Sequence, residues 1–495
     1  MMLQSCYWEE ISKHQWLFHV CDNSPMDKLQ EKVSIESIRY STGDEPINLG
    51  IRRINGKIYS GNYVGLCRLK DTGGNILKSY DGREVILRVD PRFNVSVVDM
   101  LNFIKGDDEF ERYLAPQTCR MGDADREIED LKNNALFYFF DGEDPIFVRD
   151  NLAFNSSIIT ASVFLVLLKA LCSKPLMGRM LCQEENLVGK VKGKVLFGKN
   201  IRSNTLKGRN DRFYCRYLQY SENIIENQIL KAALQKASLF VGKYFGSASG
   251  KENSYRDIIS YCQNALSHVE YRKLMRQDLS KTKVTGCYVY YKPVIQAAKM
   301  VLNEITLEAN GEAISTSYII PYAVSMDKLF EMYVRAYFKH IGIHSYLSTN
   351  DSGIHIMKYD YKSKVLEHSG GTFASYIGGN VKPDIILYDP QTNQSVVFDV
   401  KYKTLTSSRY SREDRLQVLA YALMYDCTNV GIISPAGMGM GNRIYETNPI
   451  QSIENRQRYY NQLELDVAAH DCTSARAAGG EEEINLTDYL KSLLS

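Results

Sequence analysis

An acidic residue interrupts one of the most apolar segments of the chain. In the segment 396–401 (VVFDVK), Asp399 follows three apolar residues, where an unpaired charge is expensive to bury. Side chains alternate between the two faces of a strand, so Asp399 and Lys401 share one face. Asp384 precedes an earlier apolar run, which ends at a turn over 390–394. A hairpin would bring Asp384 near Asp399, although its register does not follow from the sequence.

These side chains suit metal-assisted hydrolysis of a phosphodiester bond. Mg²⁺ takes carboxylate and carbonyl oxygens and keeps several waters, so Asp384, Asp399 and the main-chain carbonyl of Val400 are candidate ligands. A bound metal acidifies a water and neutralises charge that develops on phosphorus. Lys401 would orient that water or stabilise the negative transition state. The structural alternative is an ordinary hairpin that carries surface salt bridges.

Helices on either side of the hairpin offer further polar side chains. Ser325 is a candidate N-cap for a helix over 327–338, and Glu331 lies among its apolar residues. Glu331 is either a third acidic ligand or a solvated helix residue. On a later predicted helix, Gln417 and Tyr421 are four residues apart and therefore share one face.

The elements that must position these residues belong to a multidomain α/β chain. With 495 residues, the chain is long enough for about three domains. The pattern predicts a β-rich N-terminal domain, a mainly helical linking domain and an α/β domain with a mixed sheet, followed by a C-terminal extension. The corresponding ranges are 1–150, 151–300, 301–450 and 451–495.

Two local features lie outside the hairpin. Asn55-Gly56 separates two short alternating segments, which is a strong signal for a two-residue hairpin turn. The segment 186–216 contains nine Lys or Arg residues against one Asp and could follow a phosphate backbone. A solvated basic surface is the equal alternative. The candidate DNA-binding residues are Lys190, Lys192, Lys194, Lys199 and Arg202.

Composition excludes several other classes of protein. The formal net charge is +2, so global charge indicates neither a nucleic-acid partner nor a membrane. The 11 cysteines are an odd number without close pairs, which favours a reducing cytoplasm over a disulfide framework. The apolar segment 158–171 is too short to span a membrane and is expected to be a buried helix. The segment 193–200 nearly matches a P-loop but lacks its final Ser or Thr, so no nucleotide hydrolysis by this chain is expected.

The order of these motifs resembles the PD-(D/E)xK nuclease superfamily. The matching elements are Pro383-Asp384, then Asp399-Val400-Lys401, with Glu331 upstream. The segment 417–421 (QVLAY) resembles the QxxxY element of the RecB-like branch. The resemblance implies a restriction-endonuclease-like fold over 301–450, with catalytic roles for Asp384, Asp399, Lys401, Glu331, Gln417 and Tyr421.

Longer segments resemble the McrC family, the nuclease subunit of McrBC-type modification-dependent restriction systems. The similar segments are 197–201 (FGKNI), 220–234 (YSENIIENQILKAAL) and 399–403 (DVKYK), within a match over about 155–435. The resemblance implies an anti-phage, Mg²⁺-dependent DNA endonuclease in a prokaryotic cytoplasm, with Mn²⁺ as an alternative metal. Its substrate would be double-stranded, modified DNA.

The same resemblance implies a separate motor subunit. This partner would be a McrB-like AAA+ NTPase hexamer that uses GTP or ATP and is stimulated by the nuclease subunit. Dimerisation in the assembled complex is a further option. In the family, the N-terminal region inserts into the motor ring, which makes the Asn55-Gly56 hairpin a candidate contact. Two alternatives remain: a noncatalytic factor that assembles or stimulates an NTPase motor, and a stand-alone RecB-like exonuclease.

Overall fold

The computed structural model describes most of the chain, with gaps. The described residues are 6–41, 46–93, 95, 97–104, 117–119, 136–140, 146–147, 151–245, 255–284, 286–288, 290–307, 313–315, 318–319, 321–345, 354–356, 364–365, 380–381, 383–403, 412–437, 440–445, 448–453, 456–467, 473–477 and 483–494. Lys382, which precedes the Pro383-Asp384 motif, lies outside them.

The chain divides into two compact units. One unit combines Met1–Pro145 with Ile320–Ser495, and the other is Ile146–Ile319. Strand pairing crosses two of the boundaries expected from the sequence, because residues 146–147 pair with 318–319 and strands on both sides of 450 share a sheet. The division into 1–150, 151–300, 301–450 and 451–495 stays a prediction from the sequence.

The N-terminal residues form the β-rich region that the sequence predicts. Its main strands are β1 (Tyr7–Ser12), β2 (Gln15–Cys21), β5 (Tyr63–Arg68), β6 (Glu84–Asp90), β7 (Gln117–Cys119), β8 (Phe137–Phe140) and β16 (Tyr322–Ser325). Within the described residues they form one sheet in the order β1-β2-β6-β5-β16-β8-β7. Helix α1 (Val97–Ile104) and the 3₁₀ turns Asp27–Glu31, Ile35–Ser37 and Ile47–Gly50 complete this region. Strands β2 and β6 are parallel, with Cys21 paired to Asp90.

The Asn55-Gly56 turn has the conformation that the sequence predicts. Strands β3 (Arg52–Ile54) and β4 (Lys57–Tyr59) pair antiparallel, with Ile54 opposite Lys57. Asn55 and Gly56 both have positive φ angles, 51° and 79°, as a two-residue turn of this kind requires. The turn residues are exposed, so the hairpin tip is accessible to solvent.

The second unit is mainly helical. Its helices are α2 (Asn151–Cys172), α3 (Phe197–Ser203), α4 (Ile225–Phe245), α5 (Tyr255–Ala265), α6 (Arg276–Ser280) and α7 (Tyr291–Glu304), with 3₁₀ turns at Thr205–Lys207 and Gly286–Tyr288. Helices α2, α4, α5 and α7 pack against one another. The apolar residues 158–168 of α2 are buried, and no helix in the described part of the chain is long and apolar enough to cross a membrane.

The basic segment of this unit lies on a long β-arm. The strands of the unit are β9 (Ile146–Phe147), β10 (Arg179–Val188), β11 (Lys194–Val195), β12 (Arg212–Ser221), β13 (Ile305–Leu307), β14 (Ala313–Ser315) and β15 (Tyr318–Ile319). Strands β10 and β12 pair antiparallel over ten residues each, and β11 adds to β12. Most side chains of this three-stranded arm are exposed or half-buried.

The C-terminal residues form a mixed sheet. Its strands are β17 (His344–Ser345), β18 (His355–Ile356), β21 (Ile385–Asp389), β22 (Gln394–Val400), β23 (Asn429–Pro435), β24 (Arg443–Ile444), β25 (Asn448–Ile453), β26 (Arg456–Leu465), β27 (Ser474–Ala477) and β28 (Glu483–Asn485). Among the described residues the order is β17-β18-β21-β22-β23-β26-β24-β27-β28, and β25 also pairs with β26. Strands β19 (Lys364–Val365) and β20 (Asn380–Val381) form a separate pair.

Helices cover the centre of this sheet. They are α8 (Met326–His340), α9 (Arg412–Met424) and α10 (Leu486–Ser492). Val418, Tyr421 and Ala422 of α9 share an apolar cluster with Val397 of β22 and Ile432 of β23. Since Asp399 lies two residues after Val397, the same face of β22 carries Asp399 towards α9.

Helix α8 matches the helix predicted over 327–338, with one correction. Ser325 stands at the N-cap position, but its side chain makes no capping hydrogen bond. Phe330 of α8 approaches the ring of Tyr402, with 5.9 Å between ring centroids. Tyr402 therefore points to α8, away from the side on which Lys401 meets α9.

Candidate active site

The hairpin of β21 and β22 places Asp384 opposite Asp399. Ile385 pairs with Phe398 in the antiparallel register of these strands, so Asp384 and Asp399 occupy the next position outward. Asn393 in the connecting turn has a positive φ angle of 56°, which fixes where the second strand begins. The expected proximity of the two carboxylates is therefore present in the structure.

Asp399 is a buried acidic residue in the middle of the sheet. It is 1% exposed and pairs with Ile432 of β23, a central strand. Its side chain makes a hydrogen bond with that of Asp384, whose Oδ2 also accepts a hydrogen bond from the main-chain N–H of Val400 at 2.7 Å. Both carboxyl groups are thus held at the end of the hairpin.

The contact between two carboxyl groups has an electrostatic consequence. Burial raises the pKa of Asp399, against the lowering effects of the Lys401 charge and of the hydrogen bonds that Asp399 shares with Lys401 and Asp384. Two carboxylates in contact cannot both ionise at low cost unless a cation or a shared proton compensates them. This corner of the sheet therefore favours a positively charged partner.

Lys401 supplies one positive charge. Its Nζ lies 2.8 Å from Asp399 Oδ2 and donates a hydrogen bond to Gln417 Oε1 at 3.1 Å. Burial lowers the pKa of Lys401, but the charge of Asp399 and the hydrogen bond to it outweigh burial, so the pKa is raised overall. Lys401 is therefore a protonated ammonium group that stays beside the acidic pair.

Gln417 and Tyr421 lie on the face of α9 that the sequence predicts for them. Gln417 Nε2 donates to Tyr421 Oη at 2.7 Å, which leaves Oε1 directed at Lys401. Burial, followed by the charge of Asp399, raises the pKa of Tyr421. Lys401, Gln417 and the buried, neutral Tyr421 therefore form a chain of hydrogen bonds, in which Lys401 donates to Gln417 and Gln417 donates to Tyr421.

Glu331 is placed less closely than these residues. It is half-buried on α8, four residues before Arg335, whose Nη1 donates to the main-chain oxygen of Asp384 at 2.9 Å. Among the residues that the structure describes, no group of three His, Cys, Asp or Glu side chains lies close enough to hold a metal ion. Glu331 shares a helix face with Arg335 but is not brought together with both Asp384 and Asp399.

The acidic pair nevertheless fits a divalent cation. Mg²⁺ is commonly held by one or two carboxylates and completes its shell with waters, so three carboxylates are not required. Within the described residues, Asp399 Oδ2 is buried and lies 2.8 Å from Lys401 Nζ. A buried carboxylate oxygen of this kind matches the hard oxygen ligand that Mg²⁺ takes.

The structure adds an ion pair that sequence reasoning missed. Lys403 Nζ forms a salt bridge with Asp414 Oδ2, and Asp414 is buried at the start of α9. The charge of Asp414 raises the pKa of both Asp399 and Lys401. The spacing of Asp399, Lys401 and Lys403 was a usable signal, because two lysines beside one buried aspartate call for a second acidic partner.

The candidate DNA-binding residues lie on the β-arm of the second unit and on helix α3, which packs against β12. Lys190, Lys192 and Lys194 are exposed, as are Lys199 and Arg202 of α3. Lys199 forms an ion pair with Glu184, which also accepts a hydrogen bond from Arg216 at 2.8 Å. Part of the positive charge of 186–216 is therefore neutralised within the arm, and its DNA contact stays a prediction.

Comparison with known proteins places the chain in a family. A family model described as "McrBC 5-methylcytosine restriction system component" matches residues 148–435. Comparison with curated protein sequences finds no significant match.

Two solved structures from Thermococcus gammatolerans are similar. One is a refined half-complex from a tetradecameric assembly of McrB AAA+ hexamers with bound McrC, with 13% identity, a TM-score of 0.40 and coverage of 91% of this chain and 94% of that chain. The other is a cryo-EM structure of the McrBC complex, with 12% identity, a TM-score of 0.28 and coverage of 68% and 91%, respectively. Because the family model spans more than half of the sequence, the chain belongs to the McrBC 5-methylcytosine restriction system component family.

Proposed function

We propose that this chain is the Mg²⁺-dependent DNA endonuclease subunit of an McrBC-type restriction system. It would hydrolyse phosphodiester bonds of modified DNA with a PD-(D/E)xK domain in its C-terminal α/β region. The observation that carries the proposal is the alignment of Asp384 with Asp399 across the hairpin, with Lys401 beside them. Membership in the McrBC family supports the same assignment.

The acidic pair would hold the metal ion. Asp384 and Asp399 would supply carboxylate oxygens and Val400 its main-chain carbonyl, whereas Glu331, which does not lie together with both aspartates, is not assigned to the ion. Mn²⁺ would fit the same oxygen ligands. When bound, the ion acidifies a water and neutralises charge on the phosphate that is attacked.

The remaining side chains would position the reactants. Lys401, held between Asp399 and Gln417, would direct its ammonium group at the attacking water or at the negative charge on the phosphate. Gln417 fixes the direction of that ammonium group, since its own amide is fixed by Tyr421. These contacts are formed before substrate binds, which lowers the cost of organising the site during reaction.

The nuclease would work with a motor that this chain does not contain. The partner would be a McrB-like AAA+ NTPase hexamer, driven by GTP or ATP, whose hydrolysis this subunit stimulates. The exposed hairpin at Asn55 and Gly56 is a candidate contact with the motor, and the basic residues of the β-arm are candidate contacts with DNA. The similar T. gammatolerans assembly contains McrB AAA+ hexamers with McrC bound.

Reconstitution tests this proposal. The chain, its motor, NTP and Mg²⁺ would be incubated with modified circular DNA and, separately, with linear DNA, and cleavage and NTP hydrolysis would be followed together. We expect internal cutting of the circular DNA that Asp399→Ala and Lys401→Ala abolish. Asp389→Ala is the matched control, because Asp389 lies at the opposite end of the same hairpin, where it accepts hydrogen bonds within its own turn.

Other outcomes would identify the alternatives. Stimulation of the NTPase without cleavage under any condition would indicate a noncatalytic factor of the motor. Degradation of linear DNA from its ends without the motor, with circular DNA intact, would indicate an exonuclease. Cleavage that survives both substitutions would remove Asp399 and Lys401 from the mechanism.

A further inference from the structure

Arg92 extends from the N-terminal sheet to the segment that carries the catalytic lysine. Strands β2 and β6 are parallel and end together, so the residues that follow them lie at one edge of the sheet. There the main-chain N–H of Asp22 donates to the carbonyl oxygen of Asp90 at 2.9 Å. The main-chain N–H of Arg92 donates to Asp22 Oδ1 at 2.7 Å. Arg92 therefore starts from a fixed main-chain position.

The side chain of Arg92 is held by a buried carboxyl group. Asp22 is fully buried, and its Oδ2 lies 3.7 Å from Arg92 Nε. In a poorly solvated environment this attraction is stronger than on the surface, and removal of either partner leaves the other uncompensated. The guanidinium group is therefore confined near Asp22.

From this position Arg92 contacts both the main chain and the ring of Tyr402. Its Nη2 donates a hydrogen bond to the main-chain oxygen of Tyr402, and its guanidinium carbon lies 5.2 Å from the centroid of the Tyr402 ring. The ring of Phe93 meets that of Tyr402 edge-on at 5.0 Å, and Phe330 of α8 approaches it at 5.9 Å. Tyr402 is thus clamped between the N-terminal segment and α8.

The contacts of Tyr402 with Arg92, Phe93 and Phe330 fix the main chain immediately after Lys401. Strand β22 ends at Val400, and one further hydrogen bond, from the N–H of Lys401 to the oxygen of Ile433, continues the pattern of the sheet. Beyond that point the direction of the main chain depends on contacts made by Tyr402 and Lys403. Since neighbouring side chains point to opposite sides, anchoring Tyr402 on one side directs Lys401 to the other.

We propose that Arg92 is a positioning residue that holds Lys401 against Asp399 and Gln417 by anchoring Tyr402. The N-terminal sheet thereby sets the geometry of the active site, and a partner that displaces this edge of the sheet would loosen the lysine. The proposal rests on the proposed function only where Lys401 is called catalytic. The positioning of Lys401 itself can be measured without any nuclease activity.

The experiment measures the chemical accessibility of Lys401 in the full chain. Amines would be labelled with acetic anhydride under limiting conditions without metal, and the labelling rate of Lys401 would be read by mass spectrometry. Exposed Lys57 on the β3–β4 hairpin serves as the internal reference. Lys401 should react slowly in the unaltered chain because it is three-quarters buried and paired with Asp399.

Two substitutions separate positioning from folding. Arg92→Met removes the guanidinium group, whereas Arg92→Lys keeps a positive charge for Asp22 but lacks the second nitrogen that reaches Tyr402. Arg83→Met is the matched control, because Arg83 precedes β6 and is bound by Glu10 and Asp81 at the end of that strand opposite to Arg92. Circular dichroism and the melting temperature would establish that each variant is folded.

We expect labelling of Lys401 relative to Lys57 to rise at least about fivefold in both Arg92 variants and to stay unchanged in Arg83→Met. In the reconstituted complex, both Arg92 variants should lower the single-turnover cleavage rate and leave the dependence on DNA concentration unchanged. Unchanged labelling of Lys401 in folded Arg92→Lys would overturn the proposal, even if cleavage is reduced. If labelling of Lys401 rises in the Arg92 variants but the complex never cuts DNA, the positioning role of Arg92 is supported. Only the assignment of nuclease activity is then contradicted.

Discussion

Asp384 lies opposite Asp399 at the open end of the hairpin. There its Oδ2 accepts a hydrogen bond from the main-chain N–H of Val400, the residue after Asp399, at 2.7 Å. The two carboxyl groups are therefore fixed by local main-chain geometry, before any metal or substrate arrives. Such preorganisation concentrates negative charge in a buried corner, which costs stability without a cation. It also provides a ready pair of hard oxygen ligands.

We expect Mg²⁺ and Mn²⁺ to stabilise the folded chain through this pair. A ligand that binds only the folded state at about ten times its Kd adds roughly 1.4 kcal/mol. Differential scanning fluorimetry should show a rise in melting temperature with either metal. Asp399→Asn should remove most of that rise, whereas Asp389→Asn should keep it; equal shifts in both variants would place the metal elsewhere.

The contacts of Lys401 predict a graded series of catalytic defects. Lys401→Met should reduce single-turnover cleavage by about 10³-fold, because the ammonium group is lost from the transition state. Gln417→Ala should cost about tenfold and Tyr421→Phe about threefold, since these side chains act through the lysine. Quenched-flow cleavage of modified DNA by the reconstituted complex would measure all three. A Tyr421→Phe defect larger than that of Lys401→Met would contradict this order.

Asp22 should make stability dependent on pH in the neutral range. Burial raises the pKa of its carboxyl group to about 7, against the lowering charge and hydrogen bond of Arg92, while Asp327 raises it further. A carboxyl group with a raised folded-state pKa stabilises the protein at low pH, and this contribution is lost as pH rises through about 7. The contribution of Asp22 to the pH dependence of the free energy of unfolding is at most about 4 kcal/mol.

Urea unfolding without metal, between pH 5 and pH 8, checks this effect. The free energy of unfolding should fall as pH rises through the neutral range, and Asp22→Asn should flatten that decline. Asp90→Asn is a suitable control, because Asp90 ends β6 at the same sheet edge but its carboxylate is partly exposed and pairs with Arg88. An unaltered slope in Asp22→Asn would show that another group titrates.

The Lys403–Asp414 ion pair should hold the end of β22 against α9. Asp414 is buried and Lys403 is one-third exposed, so breaking the pair should cost about 1–2 kcal/mol, less than for a fully buried pair. A double-mutant cycle with Lys403→Met and Asp414→Asn, followed by urea unfolding, isolates the coupling energy. Additive effects of the two substitutions would show that the pair contributes nothing to this junction.

The local chemistry of the site could be predicted from the sequence, but its longer-range supports could not. Alternation along an apolar strand predicts that Asp399 and Lys401 share a face, and the contacts of Lys401 and Tyr402 with opposite helices confirm it. The partner of Lys403 escaped prediction, because a charged residue near a helix start resembles a solvated one. Arg92 also escaped it, since 310 positions separate it from Tyr402.

The fold shows the same division between local and distant information. The turn at Asn55 and Gly56 follows from residue type, because both residues tolerate positive φ. The C-terminal segment after residue 450, expected as an extension, contributes strands β26, β27 and β28 to the sheet that carries the site. Short strands with weak alternation depend on their neighbours for stability, so the sequence pattern alone does not reveal them.

A switch in metal specificity tests the central claim most directly. Asp384→Cys replaces a hard carboxylate ligand by a thiolate, which binds Mg²⁺ poorly and softer ions such as Mn²⁺ or Cd²⁺ better. The reconstituted complex with this variant should fail to cut modified circular DNA in Mg²⁺ and regain cutting when Mn²⁺ or Cd²⁺ is added, while stimulation of the motor continues throughout. Cutting by Asp384→Cys in Mg²⁺ at the rate of the unaltered chain would contradict a metal-assisted mechanism at this carboxylate pair.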